Sequence, residues 1–384
     1  MRKHRYALGA TFASLAIVLL AACQGNTGSS GSQSGGATSN LKIGLVTDVG
    51  TLDDHNFNQY SWEGAKAGAQ AVGAAAPHSV VTTQSADYAK NINSFVSKNY
   101  NIIVTVGFAL GSDTTKAAKA NPNIKFIGVD QGICVDANGN PDSTFACKGD
   151  AATLLPNYQG LVFKEQQPGY LAGVVAASIS KSGHIAAIGG TATVPAVPNY
   201  MIGYLNGAKS VKSDIKVELK YVSAAPDAKA FNDPAGGKAA ADQLLSQNPD
   251  IDVLFQVAGK TGNGVLQSAC DHNIHAIGVD VDQWVSTPDT KACTVVSAEK
   301  KLTKAVSDAI QRVNDKKDKG GTITLDITTD SVGLSPFHDS QSMITPDIQA
   351  KIDAAVKGLK DGTIKACVET PFGSCDNKNG QPPA

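Results

Sequence analysis

Residues 46–64 read Val46-Thr47-Asp48-Val49-Gly50-Thr51-Leu52-Asp53-Asp54-His55-Asn56-Phe57-Asn58-Gln59-Tyr60-Ser61-Trp62-Glu63-Gly64 and lie between two segments of different periodicity. The preceding segment, 41–46, alternates and contains β-branched residues, which predicts a strand. From Trp62 onward apolar residues recur at helical spacing, which predicts a helix. The loop between them carries three acids, an aromatic and two amides. Such a loop at the carboxyl end of a strand predicts half of a pocket for a polar, ring-bearing small molecule.

The N-terminus has the pattern of an export signal. A basic start is followed by an apolar run from Ala7 to Ala22, shorter than the roughly 20 residues that a membrane span needs. The run ends in Leu20-Ala21-Ala22-Cys23, which resembles a bacterial lipobox, so residues 1–22 are expected to be a lipoprotein signal peptide and Cys23 the lipidated N-terminus. An ordinary signal with an incidental cysteine is the alternative.

Residues 23–40 continue as a Gly/Ser-rich tether with nothing to bury. About 340 residues follow, enough for one or two domains. The formal net charge of −1 argues against a nucleic-acid-binding surface, which would be strongly basic.

Six cysteines remain besides Cys23, and they form three couples that are close in sequence. In an oxidising compartment these couples are expected to be disulfides, with free buried thiols as the alternative. The predicted pairs are Cys134–Cys147, Cys270–Cys293 and Cys367–Cys375.

Strand and helix patterns alternate along the rest of the chain, which predicts α/β architecture with parallel sheets covered on both faces. Strands are expected at 41–46, 79–83, 101–106, 125–130, 161–163, 184–190, 216–222, 250–257, 274–280, 294–297, 322–327 and 331–334. Helices are expected at about 62–72, 87–98, 111–120, 170–179, 198–211, 233–245, 262–271 and 301–316, with a last one that begins at Thr345-Pro346 and ends before Gly362. The pattern restarts near residue 184, so two lobes of similar size are expected.

Three carboxylates, Asp48, Asp130 and Asp280, each follow or end an apolar strand, so they are expected to point into one crevice. Each can accept paired hydrogen bonds from sugar hydroxyls or from the N–H edge of a base. Phe57 and Tyr200 would offer flat faces, one from each lobe. Each residue also has an ordinary structural alternative: a strand-end Asp can cap a helix, and Phe57 can be a core residue.

Several motifs, in order along residues 41–365, resemble the basic membrane protein family of bacterial substrate-binding lipoproteins, the nucleoside-binding group that serves ABC importers. The matching segments are 46–48, 57–59, 62–64, 128–130, 255–259, 261–264, 277–280, 282–283, Ser297 with Lys300, 333–334 and 336–337. The resemblance implies a type I periplasmic-binding-protein fold, in which two Rossmann-like lobes with parallel sheets are joined by a three-strand hinge. The N-terminal lobe is then expected at 41–162 and 298–323 and the C-terminal lobe at 163–297 and 324–366. The sequence of the tail itself predicts a small disulfide loop followed by disorder at 367–384.

The resemblance also assigns roles around the cleft. Asp48, Phe57 and Asn58 would bind the base, Asp130 would line the first lobe, Tyr200 would cover the second face of the base, and Gly259, Asp280 and Lys300 would hold the ribose. Lys300 as a solvated helical charge is the alternative. Lys260 departs from the family, which has Gly there, and would contact an anionic group or shield Glu299.

Other chemistry is disfavoured. Gly259-Lys260-Thr261 lacks the first glycine of a phosphate loop, and Cys270 with His272 and His275 is a poor metal set beside a predicted disulfide. We therefore expect a non-enzymatic, monomeric receptor without cofactor or metal, lipid-anchored on the extracytoplasmic face of the cell membrane. It would capture a nucleoside, with a purine favoured, and deliver it to ABC permease subunits. A receptor for a sugar or other polar molecule, a ligand sensor and a nucleoside-processing enzyme are the alternatives.

Overall fold

A computed structural model describes residues 39–369 and 375–376. The predicted signal peptide, Cys23, most of the tether and the end of the tail lie outside these residues. The strands are β1 Ile43–Val49, β2 His78–Thr82, β3 Ile102–Val106, β4 Lys125–Val129, β5 Tyr158–Phe163, β6 His184–Gly189, β7 Lys216–Tyr221, β8 Val253–Val257, β9 His275–Asp280, β10 Thr294–Lys300, β11 Gly321–Leu325, β12 Val332–Leu334, β13 Val368–Glu369 and β14 Cys375–Asp376.

The helices are α1 Phe57–Ala71, α2 Tyr88–Val96, α3 Gly111–Ala120, α4 Ala151–Leu154, α5 Gln166–Ile179, α6 Ala196–Val211, α7 Ala228–Phe231, α8 Pro234–Gln247, α9 Gly259–Asp271, α10 Gln283–Ser286, α11 Leu302–Asn314 and α12 Pro346–Asp361. The last helix begins and ends as predicted, because Thr345 Oγ1 accepts the Ile348 N–H and Gly362 adopts the left-handed conformation.

The fold has two α/β halves, and each is built on a six-stranded sheet. The first has the order β11-β5-β4-β3-β1-β2 and the second the order β12-β10-β9-β8-β6-β7. Pairing is parallel throughout the first sheet, and in the second only the β10–β12 pair is antiparallel. The order of strands reverses between β1 and β3 and again between β6 and β8, and such switch points are where open α/β sheets bind ligands.

The chain passes between the sheets three times, after Phe163, Lys300 and Leu325. The expected lobe boundaries follow residues 162, 297 and 323. The second passage comes later because β10 is longer than predicted and reaches Lys300, which is paired with Val332. The third comes later because β11 stays paired with β5 as far as Leu325, opposite Phe163.

Several predicted helix starts are wrong. Helix α5 begins at Gln166 rather than Tyr170, because Pro168 falls in the first turn, where a helix does not need the missing N–H. Helix α9 begins at Gly259 rather than at 262. Strand β8 begins at Val253 rather than at Asp250, and the carboxylate of Asp252 just before it accepts hydrogen bonds from Ser180, Lys181 and Ser182.

The cysteine pairs Cys134–Cys147 and Cys270–Cys293 form disulfides, as predicted. Cys367 is disulfide-bonded as well. The side chain of Cys375 lies outside the described part of the chain, so the Cys367–Cys375 pairing stays a prediction. None of the helices among the described residues is long and apolar enough to span a membrane.

Candidate ligand-binding site

A cavity lies between the two sheets, with an empty volume of about 840 Å³ including its opening to solvent. All eight residues expected at the cleft line it: Asp48, Phe57, Asn58, Asp130, Tyr200, Gly259, Asp280 and Lys300. The carboxyl ends of β1 and β3 reach it from the first sheet, and the segments after β8 and β9 reach it from the second. The fold therefore brings together side chains that are up to about 250 residues apart in sequence.

At the end of β1, Asp48 is hydrogen-bonded to the side chain of Asn58, whose Oδ1 atom is buried without a partner among the described residues. Gly107, which follows β3, makes room for this carboxylate. A Cβ atom there would lie 2.3 Å from Asp48 Oδ2, and its φ of +108° also favours glycine. Burial, reinforced by Asp54 and Asp130, raises the pKa of Asp48 to about 7.

Asp54 fixes the loop that carries these groups. Its carboxylate accepts N–H groups of Asn56, Asn58 and Gln59 at 2.9, 2.8 and 3.0 Å, in the manner of a helix cap. Phe57, the first residue of α1, is half-buried and faces the cavity. The capping role of Asp54 was not predicted from sequence, where it was one of three acids in the loop. An Asp shortly before a helix is nevertheless a recognisable capping signal.

Lys300 is the last residue of β10 and only 2% exposed, so the alternative of a solvated helical charge is wrong. Its Nζ atom lies 2.6 Å from Asp130 Oδ2, 3.5 Å from Asp280 Oδ1 and 3.8 Å from Glu165 Oε1. Burial alone would lower the pKa of Lys300, but the three carboxyl groups outweigh it and raise that pKa. We call these four residues the Lys300 cluster.

The cluster joins different parts of the chain. Asp130 follows β4 in the first sheet, Asp280 ends β9 in the second, and Glu165 lies in the first passage between the sheets. Burial raises the pKa of Glu165 to about 8 and also raises that of Asp280, in both cases against the opposing effect of Lys300. Asp130 Oδ1 is buried without a hydrogen-bond partner among the described residues and remains available to a ligand.

Two of the carboxylates sit on strained backbone. Asp130 has φ 57° and Asp280 has φ 65°, which is the left-handed region that non-glycine residues seldom adopt. Backbone strain of this kind, about 1–3 kcal/mol per residue, is concentrated at functional sites. It turns both side chains out of their strands toward Lys300.

The aromatic residue that the second lobe presents to the cavity differs from the prediction. Tyr200 is 1% exposed, and its hydroxyl lies 3.2 Å from Asp280 Oδ1 and 3.3 Å from Ala298 O, so its ring supports the Lys300 cluster. Phe231, at the end of the short helix α7, is half-buried and lines the cavity from the second lobe. Sequence inspection missed Phe231, although it is the only aromatic residue between 222 and 233. Within the described residues, no group of three or more His, Cys, Asp or Glu residues is arranged to hold a metal ion.

Two mostly parallel sheets with the same strand order and a cavity between them define the type I periplasmic-binding-protein fold. A solved structure of ABC transporter system solute-binding proteins from Aeropyrum pernix K1 matches with TM-score 0.71 and 21% identity, covering 85% of this chain and 92% of that one. A second such protein, from Conexibacter woesei, matches with TM-score 0.63 and 21% identity, over 85% and 98% of the chains. These likenesses support the fold.

The family follows from sequence. The family model described as ABC transporter substrate-binding protein PnrA-like matches residues 41–366, and the chain belongs to this family. The ABC transporter nucleoside-binding protein BmpA of Lactococcus lactis is 31% identical over 95% of this chain and 96% of its own length. Basic membrane protein A of Borreliella burgdorferi is 27% identical over 65% and 66% of the two chains. The resemblance found in the motifs is thus confirmed, and membership implies a non-enzymatic protein with a small-molecule ligand and permease partners.

Replacing Asp48 by Asn should stabilise the free protein at high pH. Because the folded-state pKa of about 7 exceeds the unfolded value of 3.8, this group's contribution to stability falls as pH rises from about 4 to 7. Asp48→Asn should raise the free energy of unfolding at pH 8 by about 1–3 kcal/mol and flatten its pH dependence. Urea unfolding at pH 5, 6.5 and 8 measures this, with the exposed Asp214→Asn as control. A destabilised variant with an unchanged slope would contradict the assignment.

Replacing Lys300 by Met should destabilise the protein because three buried carboxyl groups lose their counter-charge. We expect a loss of about 3–5 kcal/mol at pH 8 and a smaller loss at pH 5, where the carboxyl groups can take up protons. The neighbouring Lys301, which pairs with exposed Asp330 at 3.0 Å, provides the control Lys301→Met. Equal losses for both variants at pH 8 would show that the Lys300 cluster is not a coupled unit.

Proposed function

We propose that the protein captures a nucleoside, preferably a purine nucleoside, in the cavity and delivers it to an ABC permease. The observation that carries the proposal is that the cavity wall combines two chemical kinds of side chain. Flat and apolar side chains, among them Phe57, Phe108 and Phe231, line it together with the Asp48–Asn58 pair and the Lys300 cluster, which present polar and charged acceptors and a donor. Phe57 links the two kinds, because Lys300 Nζ lies 4.8 Å from the centre of its ring. A base with an attached sugar needs both kinds.

The base would lie among the aromatic side chains. Phe57 from the first lobe and Phe231 from the second are both half-buried, so each has ring surface available to a ligand. Stacking on an aromatic side chain contributes about 1–3 kcal/mol per base. The Asp48–Asn58 pair would then meet the polar edge of the base, with the free Asn58 Oδ1 as an acceptor.

The sugar would lie at the Lys300 cluster, where Asp130 Oδ1 accepts from one hydroxyl and Asp280 from a neighbouring one. Charge-assisted hydrogen bonds of this kind are worth about 1.5–3 kcal/mol each. Five aromatic residues line the cavity (Phe57, Tyr88, Phe108, Tyr200 and Phe231), and aromatic faces favour a ligand that carries a flat ring. The nucleoside-binding name of the Lactococcus relative supports the same ligand class.

Ligand-dependent stabilisation across a panel of nucleosides, free bases and D-ribose tests the proposal. A purine nucleoside at 100 times its Kd should stabilise the protein by about 2.7 kcal/mol, whereas ribose alone should not. Phe57→Ala should weaken binding at least about tenfold, and Phe145→Ala, an exposed aromatic outside the cavity, should not. Stabilisation by ribose and by no nucleoside would replace the proposal with a sugar receptor.

We further propose that Cys23 carries the lipid anchor and that the receptor acts as a monomer on the extracytoplasmic side of the membrane. The signal-like N-terminus and the tether support this, and two relatives from Pyrococcus are named lipoproteins. Cys23→Ser should move the protein from the membrane fraction to the soluble extracytoplasmic fraction. Mass spectrometry of the N-terminal peptide checks acylation, and a membrane-bound Cys23→Ser protein would disprove it.

A further inference from the structure

Some contacts join the two lobes beside the cavity through Lys260 and Asn263, neither of which is among the residues that line it. They connect the N-terminal end of α9, in the second lobe, to the loop between β1 and α1 in the first. Asn263 Nδ2 donates to Asp54 O at 3.1 Å, and Lys260 Nζ lies 3.2 Å from Thr51 Oγ1 and 3.2 Å from Asp53 Oδ1. Lys260 thus contacts an anionic group of the other lobe and does not shield Glu299.

Asn263 is held in place by buried amides of its own lobe. Gln283, which is fully buried, donates from Nε2 to Asn263 Oδ1 at 3.1 Å. Its Oε1 accepts from Val279 N at 2.9 Å and from Gln256 Nε2. We call Gln256, Gln283 and Asn263 the amide relay. Because its members are bonded in series, the direction of the Asn263 N–H group is fixed before it meets the first lobe.

The receiving loop is equally well fixed. The carboxylate of Asp54 holds three N–H groups at the start of α1, so the Asp54 carbonyl, Phe57 and Asn58 keep one arrangement. A bond from Asn263 to this carbonyl therefore also sets the position of Phe57 and Asn58 relative to the second lobe. The Lys260–Asp53 pair adds an attachment on the outer side of the same loop, where Asp53 is exposed.

We propose that Asn263 and Lys260 are positioning residues that hold the β1–α1 loop over the cavity and so slow the release of ligand. The inference rests on the proposed function, since release is measured with a nucleoside. Both contacts span separate lobes, so they break when the lobes separate and form when they close. They act on the rate constant for dissociation more than on the rate constant for association.

Inosine binding and release by the full-length protein, followed by surface plasmon resonance, tests this. Asn263→Ala should raise koff about fivefold and Lys260→Met about two- to threefold, with kon changed less than about twofold. In the Asp53→Asn background, Lys260→Met should have a smaller effect than in the wild type, because the ion pair is already absent and the contact with Thr51 is what remains to be lost. Salt should speed release from the wild type more than from Lys260→Met.

Matched controls use bonds within one lobe. The control for Asn263→Ala is Asn91→Ala, which removes a hydrogen bond of 2.9 Å to Thr82 Oγ1. The control for Lys260→Met is Lys304→Met, which removes an ion pair with Asp308 on the same helix. Both should leave koff unchanged. A koff unchanged in Asn263→Ala and Lys260→Met, or a loss of affinity through kon with a lowered Tm, would overturn the inference and leave the proposed function standing.

Failure of the proposed function is recognised separately, because then no nucleoside binds the wild-type protein. In that case hydrogen exchange of the ligand-free protein decides. The amides of Asn56, Asn58 and Gln59 should exchange about threefold or more faster in Asn263→Ala than in the wild type or Asn91→Ala. Equal exchange in all three proteins would overturn the inference.

Discussion

Lys300 carries a buried positive charge around which three carboxyl groups from separate parts of the chain are gathered. One ammonium cannot balance three ionised carboxylates away from water, which is why burial raises the pKa values of Glu165 and Asp280. Burying these charges is therefore unfavourable in the ligand-free protein, and the cluster favours a ligand that brings hydrogen-bond donors. Its position also matters, since Asp130 belongs to one sheet, Asp280 to the other, and Glu165 to a passage between them. The fold therefore depends on this group of charges, and under the proposed function ligand capture depends on it too.

The two groups of polar side chains in the cavity, the Lys300 cluster and the Asp48–Asn58 pair, are held in orientation in different ways. At the Lys300 cluster, left-handed backbone at Asp130 and Asp280 directs the side chains. At the Asp48–Asn58 pair, the capped start of α1 and the space left by Gly107 do so. In both places the backbone fixes the side chains that face the cavity before any ligand is bound. Such preorganisation lowers the cost of ordering the site when a ligand binds.

Much of the fold and of the cavity lining could be predicted from sequence, because the geometry of a parallel sheet restricts where residues at strand ends can lie. Strand ends share one edge, so Asp48, Asp130 and Asp280 were expected together, and the structure brings them to one cavity. Glu165 and Phe231 could not be found in this way, because Glu165 lies between β5 and α5 and Phe231 ends α7, which at four residues is too short to show a periodicity. The length of β10 was underestimated for a related reason: Lys300 is polar, and only its pairing with Val332 keeps it in a strand. Burial of a lysine is a tertiary effect that local patterns do not encode.

The first sheet has a further consequence for how the protein is made. Its edge strand β11 pairs with β5 but is separated from it by the whole second sheet up to β10. During synthesis the earlier strands of this sheet emerge from the ribosome long before their last neighbour, and β5 waits as an unpaired edge. The loop that must then be closed is long, which slows folding without greatly lowering final stability. Neither half can therefore be obtained as an uninterrupted gene fragment, and the polypeptide acquires its native form only when nearly all of it is present.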